Sequence, residues 1–226
     1  MPAPDTVEAR ELAGVARDCR VELARRIDEE LGPFDPRLLD ALVEVPRERF
    51  VRWEDIASSA ADIPLPLDDL GFATISAPHA YLLSFRLVEL SPGDRLVELG
   101  SGSGYGAALA ARAVGPSGHV QTLEIDGDLA SRARGLLSDA SNVTPIHADA
   151  LQVDLWGEAN KFVCTFAVET LPAPWTAKLP DGGILVAPVG PNSRDQRLVR
   201  VSCRGELVRA SEHGAVRYVT NRSGQV

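Results

Sequence analysis

The chain has 226 residues, 45% of them hydrophobic and 24% charged, which is enough for one α/β domain with a well-buried core. Its formal net charge of -9 argues against a nucleic-acid backbone as the main partner, since phosphate binding needs a basic surface, and no stretch reaches the roughly 18 apolar residues of a membrane span. Cys19, Cys164 and Cys203 are odd in number and widely spaced, which fits neither a disulfide framework nor a zinc site and predicts reduced thiols in a cytoplasmic protein.

Met1 to Glu11 carries acids and prolines in place of a charged-then-apolar leader. Lys161 and Lys178 are the only lysines among 23 basic residues, a codon signature of a GC-rich bacterial genome. Asp5 or Thr6 is placed to cap a helix running to about Leu31, with Val15, Val21, Leu23 and Ile27 at near-helical spacing and Gly32-Pro33 as its stop. Asp35-Pro36 opens a second helix with Leu38, Leu39, Leu42 and Val43 on one face, ended by Val45-Pro46. Arg47 to Val51 reads as a third, short helix. Ala61 to Leu67 is too rich in proline for a helix or a central strand and reads as a surface loop leading to a site. Residues 1–70 are thus expected to be a helical region packed on a core of residues 71–226, the two forming a single unit. In Ala73-Thr74-Ile75-Ser76-Ala77-Pro78-His79, Ser76 is placed to cap a helix from Ala77 to about Leu90.

After the turn Ser91-Pro92-Gly93-Asp94 comes a strand, Arg95 to Leu99, then Gly100-Ser101-Gly102-Ser103-Gly104 and a helix from Tyr105 to Val114. The glycines let the backbone bend sharply and a ligand lie directly on it, with the helix N-terminus aimed at the same place. Two ligand classes compete. Gly102-x-Gly104-x-x-Ala107 fits the dinucleotide fingerprint in its alanine-ended form. Glu98, two residues before the first glycine, would repel a pyrophosphate and suits a cationic amine, such as the methionine end of S-adenosylmethionine. Glu124 closes the next strand, Val120 to Glu124, where it can accept both ribose hydroxyls; Asp149, beyond the run Val143 to Ile146, can take the adenine amino group. Singly, each acid is equally a surface carboxylate in a loop, but three at successive strand ends form a pattern.

The alternation 95–99, 105–114, 119–124, 127–138, 143–147 implies a parallel sheet with helices on both faces. Phe162 to Phe166, a short helix around Ala173 to Lys178 and the strand Ile184 to Val189 follow. A hairpin of Gln196 to Cys203 and Glu206 to Ala210 and a closing strand near Val216 to Val219 complete the pattern. His119, His147 and His213 lack metal-ligand spacing, and no metal is expected.

In their order and spacing, Val45-Pro46-Arg47-Glu48-Arg49-Phe50-Val51, Pro64-Leu65-Pro66, Thr74 to His79, Pro92-Gly93-Asp94-Arg95, the glycine loop, Gly182 to Gly190 and Val216-Arg217-Tyr218-Val219 resemble the protein-L-isoaspartate (D-aspartate) O-methyltransferase family over nearly the whole chain. The resemblance implies a class I S-adenosylmethionine-dependent methyltransferase fold, Rossmann-like and doubly wound. Its mostly parallel seven-stranded sheet would carry an N-terminal helical extension and a C-terminal antiparallel hairpin. The implied activity is methylation of a peptide or protein carboxylate, the α-carboxyl of L-isoaspartyl residues, leading through succinimide to repair. Donor contacts are expected from Glu98, Gly100, Ser101, Gly102, Gly104, Glu124, Ile125, Asp149 and Ala150. The implied catalytic residue is Ser76, whose hydroxyl would lie beside the acceptor carboxylate, and acceptor contacts are expected from Thr74, Ile75, Ser76, His79 and Arg217. A monomer is favoured.

The chain departs from the family's pattern at Ala148-Asp149-Ala150, where Gly-Asp-Gly is usual, and at Gly106, Phe166 and Thr220, where glutamine, alanine and proline are common. The resemblance puts the last three beside the acceptor, which leaves room for a dedicated enzyme that esterifies aspartate in one partner peptide of a natural-product pathway. A sensor that holds the donor without turnover has no use for Ser76. The acceptor, with a pKa of about 4, is already ionised and needs no general base, so His79 is expected to serve structure or substrate contact.

Overall fold

The structure, a computed structural model, describes residues 7–152, 157–192 and 194–223. The caps expected at Asp5 or Thr6 lie outside them. Helix α1 spans Val7–Leu31 and buries Leu23, Ala24 and Ile27. Val15 and Val21, expected on the same apolar face, are 61% and 42% exposed, so the buried stripe is narrower than the spacing suggests. Asp35 accepts the Arg37 N–H at 2.9 Å and caps α2, Pro36–Glu44, whose first residue is the proline. Two short 3-10 turns follow, Arg47–Arg49 and Trp53–Ser58.

The proline-rich stretch contains a ladder the sequence did not announce: β1, Leu65–Pro66, pairs antiparallel with β2, Thr74–Ile75. Helix α3 runs Pro78–Leu87. Its N-cap is Ala77, with no side-chain cap, so Ser76 is not the capping residue; proline at the first helical position sets the start one residue later than expected.

The sheet is built from β3 (Arg95–Leu99), β4 (His119–Glu124), β6 (Lys161–Cys164) and β7 (Ile184–Val189), largely buried, and the half-exposed edge strand β5 (Val143–His147), joined by α4 (Tyr105–Val114), α5 (Gly127–Leu136) and α6 (Ala173–Ala177). With β8 (Gln196–Arg204) and β9 (Leu207–Val216) the order is β5-β4-β3-β6-β7-β8-β9, parallel from β5 to β7 and antiparallel beyond. Successive residues serve opposite cores, as a pleated strand requires. Leu96, Val163 and Val186 join the cluster of Leu23, Leu38, Leu82 and Leu109, whereas Val97, Phe162 and Leu185 join Trp175 and Leu179 on the other face. The first cluster runs without a break from α1 to β8.

Beyond Val216 the chain leaves the sheet; β9 is one strand, and no separate strand lies at 216–219. The amide of Gln196 holds Tyr218 by accepting its N–H at 2.7 Å and donating to its carbonyl at 3.1 Å, after which Thr220 bridges to Ala167. The order reverses at β3, with β4 on one side and β6 on the other, so the crevice beyond the carboxyl ends of these strands is the natural ligand position. Among the described residues, no helix is long and apolar enough to cross a membrane.

Candidate active site

The glycine loop leaves β3 through Gly100, at φ 95°. A Cβ there would lie 2.6 Å from Thr165 Oγ1 and 2.9 Å from the Phe166 ring, so only glycine fits. The loop's amides are engaged within the protein. Gly100 and Ser101 donate to the Leu123 carbonyl at 2.9 and 2.7 Å, Gly102 donates to Glu124 Oε2 at 2.7 Å, and Gly104 donates to the Ser101 carbonyl at 2.8 Å. A pyrophosphate would find these donors taken and a carboxylate in its place, which removes the physical basis of the dinucleotide alternative.

Glu124 ends β4 with Oε1 accepting the N–H groups of Ile125 and Asp126 at 3.0 and 3.1 Å. Burial raises its pKa, against the pull of the three backbone donors. It lies in a cleft of about 600 Å³ whose walls include Gly100, Gly102, Ile125, Asp149, Ala150 and Phe166. Asp149 accepts from Leu151 N–H at 2.9 Å and from the Ser223 hydroxyl. Apolar faces between two carboxylate ends fit a planar base and a ribose, and the engagement of the Gly100, Ser101, Gly102 and Gly104 amides fits a cofactor without phosphates.

The structure places three expected donor residues away from this cleft. Ser101 and Gly104 shape the loop but do not line it, and Glu98 points the other way. The Glu98 carboxylate is 2% exposed and accepts the Thr122 hydroxyl at 2.6 Å and the Ala107 N–H, beside Gly106, where a Cβ would stand 2.0 Å from Oε1. Burial pushes its pKa up to about 8; the Thr122 hydrogen bond opposes the rise and nearby Glu124 adds to it. Glu98 therefore braces the loop from beneath.

A second groove lies beyond Thr74, which lines both. Ser76, His79, Ala80, Leu83, Arg217 and Tyr218 are among its walls, around about 1330 Å³ of space. Four of the five expected acceptor residues thus meet here. Ile75 does not; it is 1% exposed in the core. The Ser76 backbone is fixed from both sides, its N–H donating to the Tyr81 hydroxyl at 3.2 Å and its carbonyl accepting from Arg47 at 3.1 Å. Arg47 is itself 1% exposed and also donates to the carbonyls of Ser59, Ala61 and Ile63, tying the proline-rich loop to the serine segment. His79 is held by Asp62, which accepts both its N–H and its Nδ1, at 3.0 and 2.9 Å. That hydrogen bond raises the His79 pKa against the effect of burial. For Asp62, burial works the other way but is outweighed by His79, so its pKa is lowered.

Phe72, Thr165, Asn221 and Arg222 also line the donor cleft and were not foreseen. The tail crosses the cleft because Ala167 pairs with Val219 and Asn221, and Arg222 reaches Asp126 at 3.7 Å. Phe72 is presented by a loop whose N–H groups at 70, 72 and 73 all bond Asp68, and an Asp four residues before an exposed Phe was its one signal in sequence. Phe166 and Thr220, expected beside the acceptor, line the donor cleft instead, and Gly106 lies under Glu98.

The sheet, the carboxylate-bearing cleft at the ends of β3 to β5 and the adjoining groove define a class I S-adenosylmethionine-dependent methyltransferase. The chain belongs to the protein-L-isoaspartate (D-aspartate) O-methyltransferase family, whose sequence model matches residues 24–225. It is 38% identical over 165 residues to a protein-L-isoaspartate O-methyltransferase of Methanothermobacter thermautotrophicus, covering 71% of this chain and 75% of that one. It is 34% identical over 207 residues to protein-L-isoaspartate O-methyltransferase 2 of Archaeoglobus fulgidus, covering 90% and 92%. Among solved structures, a Plasmodium falciparum protein-L-isoaspartate O-methyltransferase in complex with S-adenosyl-L-homocysteine shares the fold at a TM-score of 0.77 and 22% identity, over 89% of this chain and 97% of that one.

Proposed function

We propose that this chain transfers a methyl group from S-adenosylmethionine to the α-carboxylate of L-isoaspartyl residues in peptides or proteins. The observation that carries the reading is Thr74, the wall common to the donor cleft and to the groove that holds Ser76. When bound, the donor supplies an electrophilic methyl group on a sulfonium. Glu124 holds the ribose hydroxyls, Asp149 accepts from the adenine amino group, and Ile125, Ala150 and Phe166 pack against the base. Phe72 and residues 219–222 keep water from the cleft. On the acceptor side, the Ser76 hydroxyl donates to the carboxylate and orients one oxygen towards the cleft, with Arg217 as its counter-charge. No proton has to leave the acceptor, and His79, bound to Asp62, is not asked to take one. Rate enhancement then comes from alignment in a dry site. The ester is afterwards attacked by the next backbone nitrogen, methanol leaves, and the succinimide hydrolyses in part to normal aspartate, which is repair. The same reading takes the enzyme to work in the cytoplasm as a monomer.

A dedicated peptide partner has no support. Phe166 and Thr220, the departures that suggested it, border the donor, and the relatives named above are isoaspartate enzymes. Ser76→Ala separates the two halves of the site. Calorimetric affinity for S-adenosylhomocysteine should stay within about twofold, while methylation of an isoaspartyl peptide falls at least about tenfold. An unchanged rate removes Ser76 from the reaction.

A further inference from the structure

We infer that the acceptor groove selects isoaspartyl segments flanked by acidic residues. This rests on the isoaspartyl reading and names a substrate preference within it. The chain carries a net charge of -9, yet the groove is lined by Arg194, Arg217, His79 and His213, with no Asp or Glu among its walls. Nearby acids are engaged or turned elsewhere. Asp62 is bound to His79, Asp195 accepts from Asn192 at 2.9 Å, and Glu212, next to His213 on β9, does not line the groove. Some arginines elsewhere meet carboxylates, as Arg20 does with Glu48 and Arg200 with Glu89 at 2.7 Å each. Among the described residues neither Arg194 nor Arg217 is so paired. One carboxylate, the acceptor, needs one such partner. Arg217, just past the end of β9, lines the groove with Ser76 and suits that role, which leaves Arg194, just before β8 and across the ladder from the same segment, for a second anion carried by the substrate. The overall negative charge does not cancel this, because at physiological ionic strength exposed charges beyond about 8 Å are largely screened and the groove's own groups decide.

The test uses one isoaspartyl peptide in three versions, with glutamate, alanine or lysine at the flanking positions, binding to the full chain loaded with S-adenosylhomocysteine at physiological salt. The glutamate version should bind about two- to fivefold more tightly per added acid than the alanine version, and the lysine version more weakly than either. Arg194→Gln should remove most of that spread, with affinity for S-adenosylhomocysteine as the check that the protein is folded. Lysine binding as well as glutamate, or a spread that survives Arg194→Gln, overturns the proposal. Methyl transfer to the alanine version, run in parallel, reports on the isoaspartyl reading itself. If it is methylated while the spread is absent, only the charge preference falls; if it is bound but not methylated while the spread holds, only the activity falls.

Discussion

Glu98→Gln tests the inward placement of a carboxyl whose sequence position suggested a ligand contact. In the folded protein without cofactor, Glu98 ionises near 8 in place of its ordinary 4.5, so the native state holds a proton that the unfolded chain has lost across that interval. Wherever the native state binds more protons, stability falls as pH rises. At about 1.4 kcal/mol for each tenfold change, the loss between pH 4.5 and 8 has an upper bound of about 5 kcal/mol. Relaxation around a buried charge brings the expected figure to roughly 2–3 kcal/mol. A glutamine of the same shape can accept the Ala107 N–H with its oxygen and donate its amide to Thr122, whose hydroxyl rotates to receive it, and it carries no proton linkage. The variant should match the parent near pH 5 and exceed it by roughly 2–3 kcal/mol near pH 8.5, measured by urea unfolding of both proteins without donor. Titrations of groups that do not interact with Glu98 cancel in the difference. Parallel stability curves over this range would refute the buried, proton-holding Glu98.

Glu124→Ala should weaken donor binding by about 1–3 kcal/mol, since ribose hydroxyls lose charge-assisted partners and the Gly102 N–H loses its acceptor; calorimetric titration reads it, and an unchanged affinity removes Glu124 from the donor site. The Asp62–His79 pair should stabilise the protein most between the two ordinary values, 3.8 for the acid and 6.5 for the imidazole. The lowered Asp62 loses its contribution as pH falls through its folded pKa. The raised His79 has its full contribution below 6.5 and loses it as pH rises through its own. Asp62→Asn should thus cost about 1 kcal/mol near pH 5.5 and less above neutrality by thermal or urea unfolding, while a cost that grows with pH would contradict the pairing.

The segment from Arg95 to Val114 was legible to the residue, because its signals are local: an apolar run, glycines where the chain must turn, and an alanine-rich helix. The far end was not. Strand β9 is exposed along nearly all its length, so Ser211, Glu212, His213 and Gly214 carry no alternation to mark them as strand. The inward turn of Glu98 depends on Thr122, 24 residues away, and on the space left by Gly106, contacts that no local pattern encodes. The donor-side position of Phe166 and Thr220 has the same origin, since it is set by where the tail crosses Ala167. Ser76 shows the opposite case. Its motif lies in the groove beyond Thr74, while the capping role that local rules gave it passed to Ala77 because Pro78 occupies the first turn.

The most direct test of the activity is methyl-ester formation on short isoaspartyl peptides beside their normal-aspartyl twins, with labelled S-adenosylmethionine and base-labile label as the readout. The account predicts esterification of several unrelated isoaspartyl peptides and little or none of their twins. Protein that binds the donor normally yet esterifies none of the isoaspartyl set would contradict it.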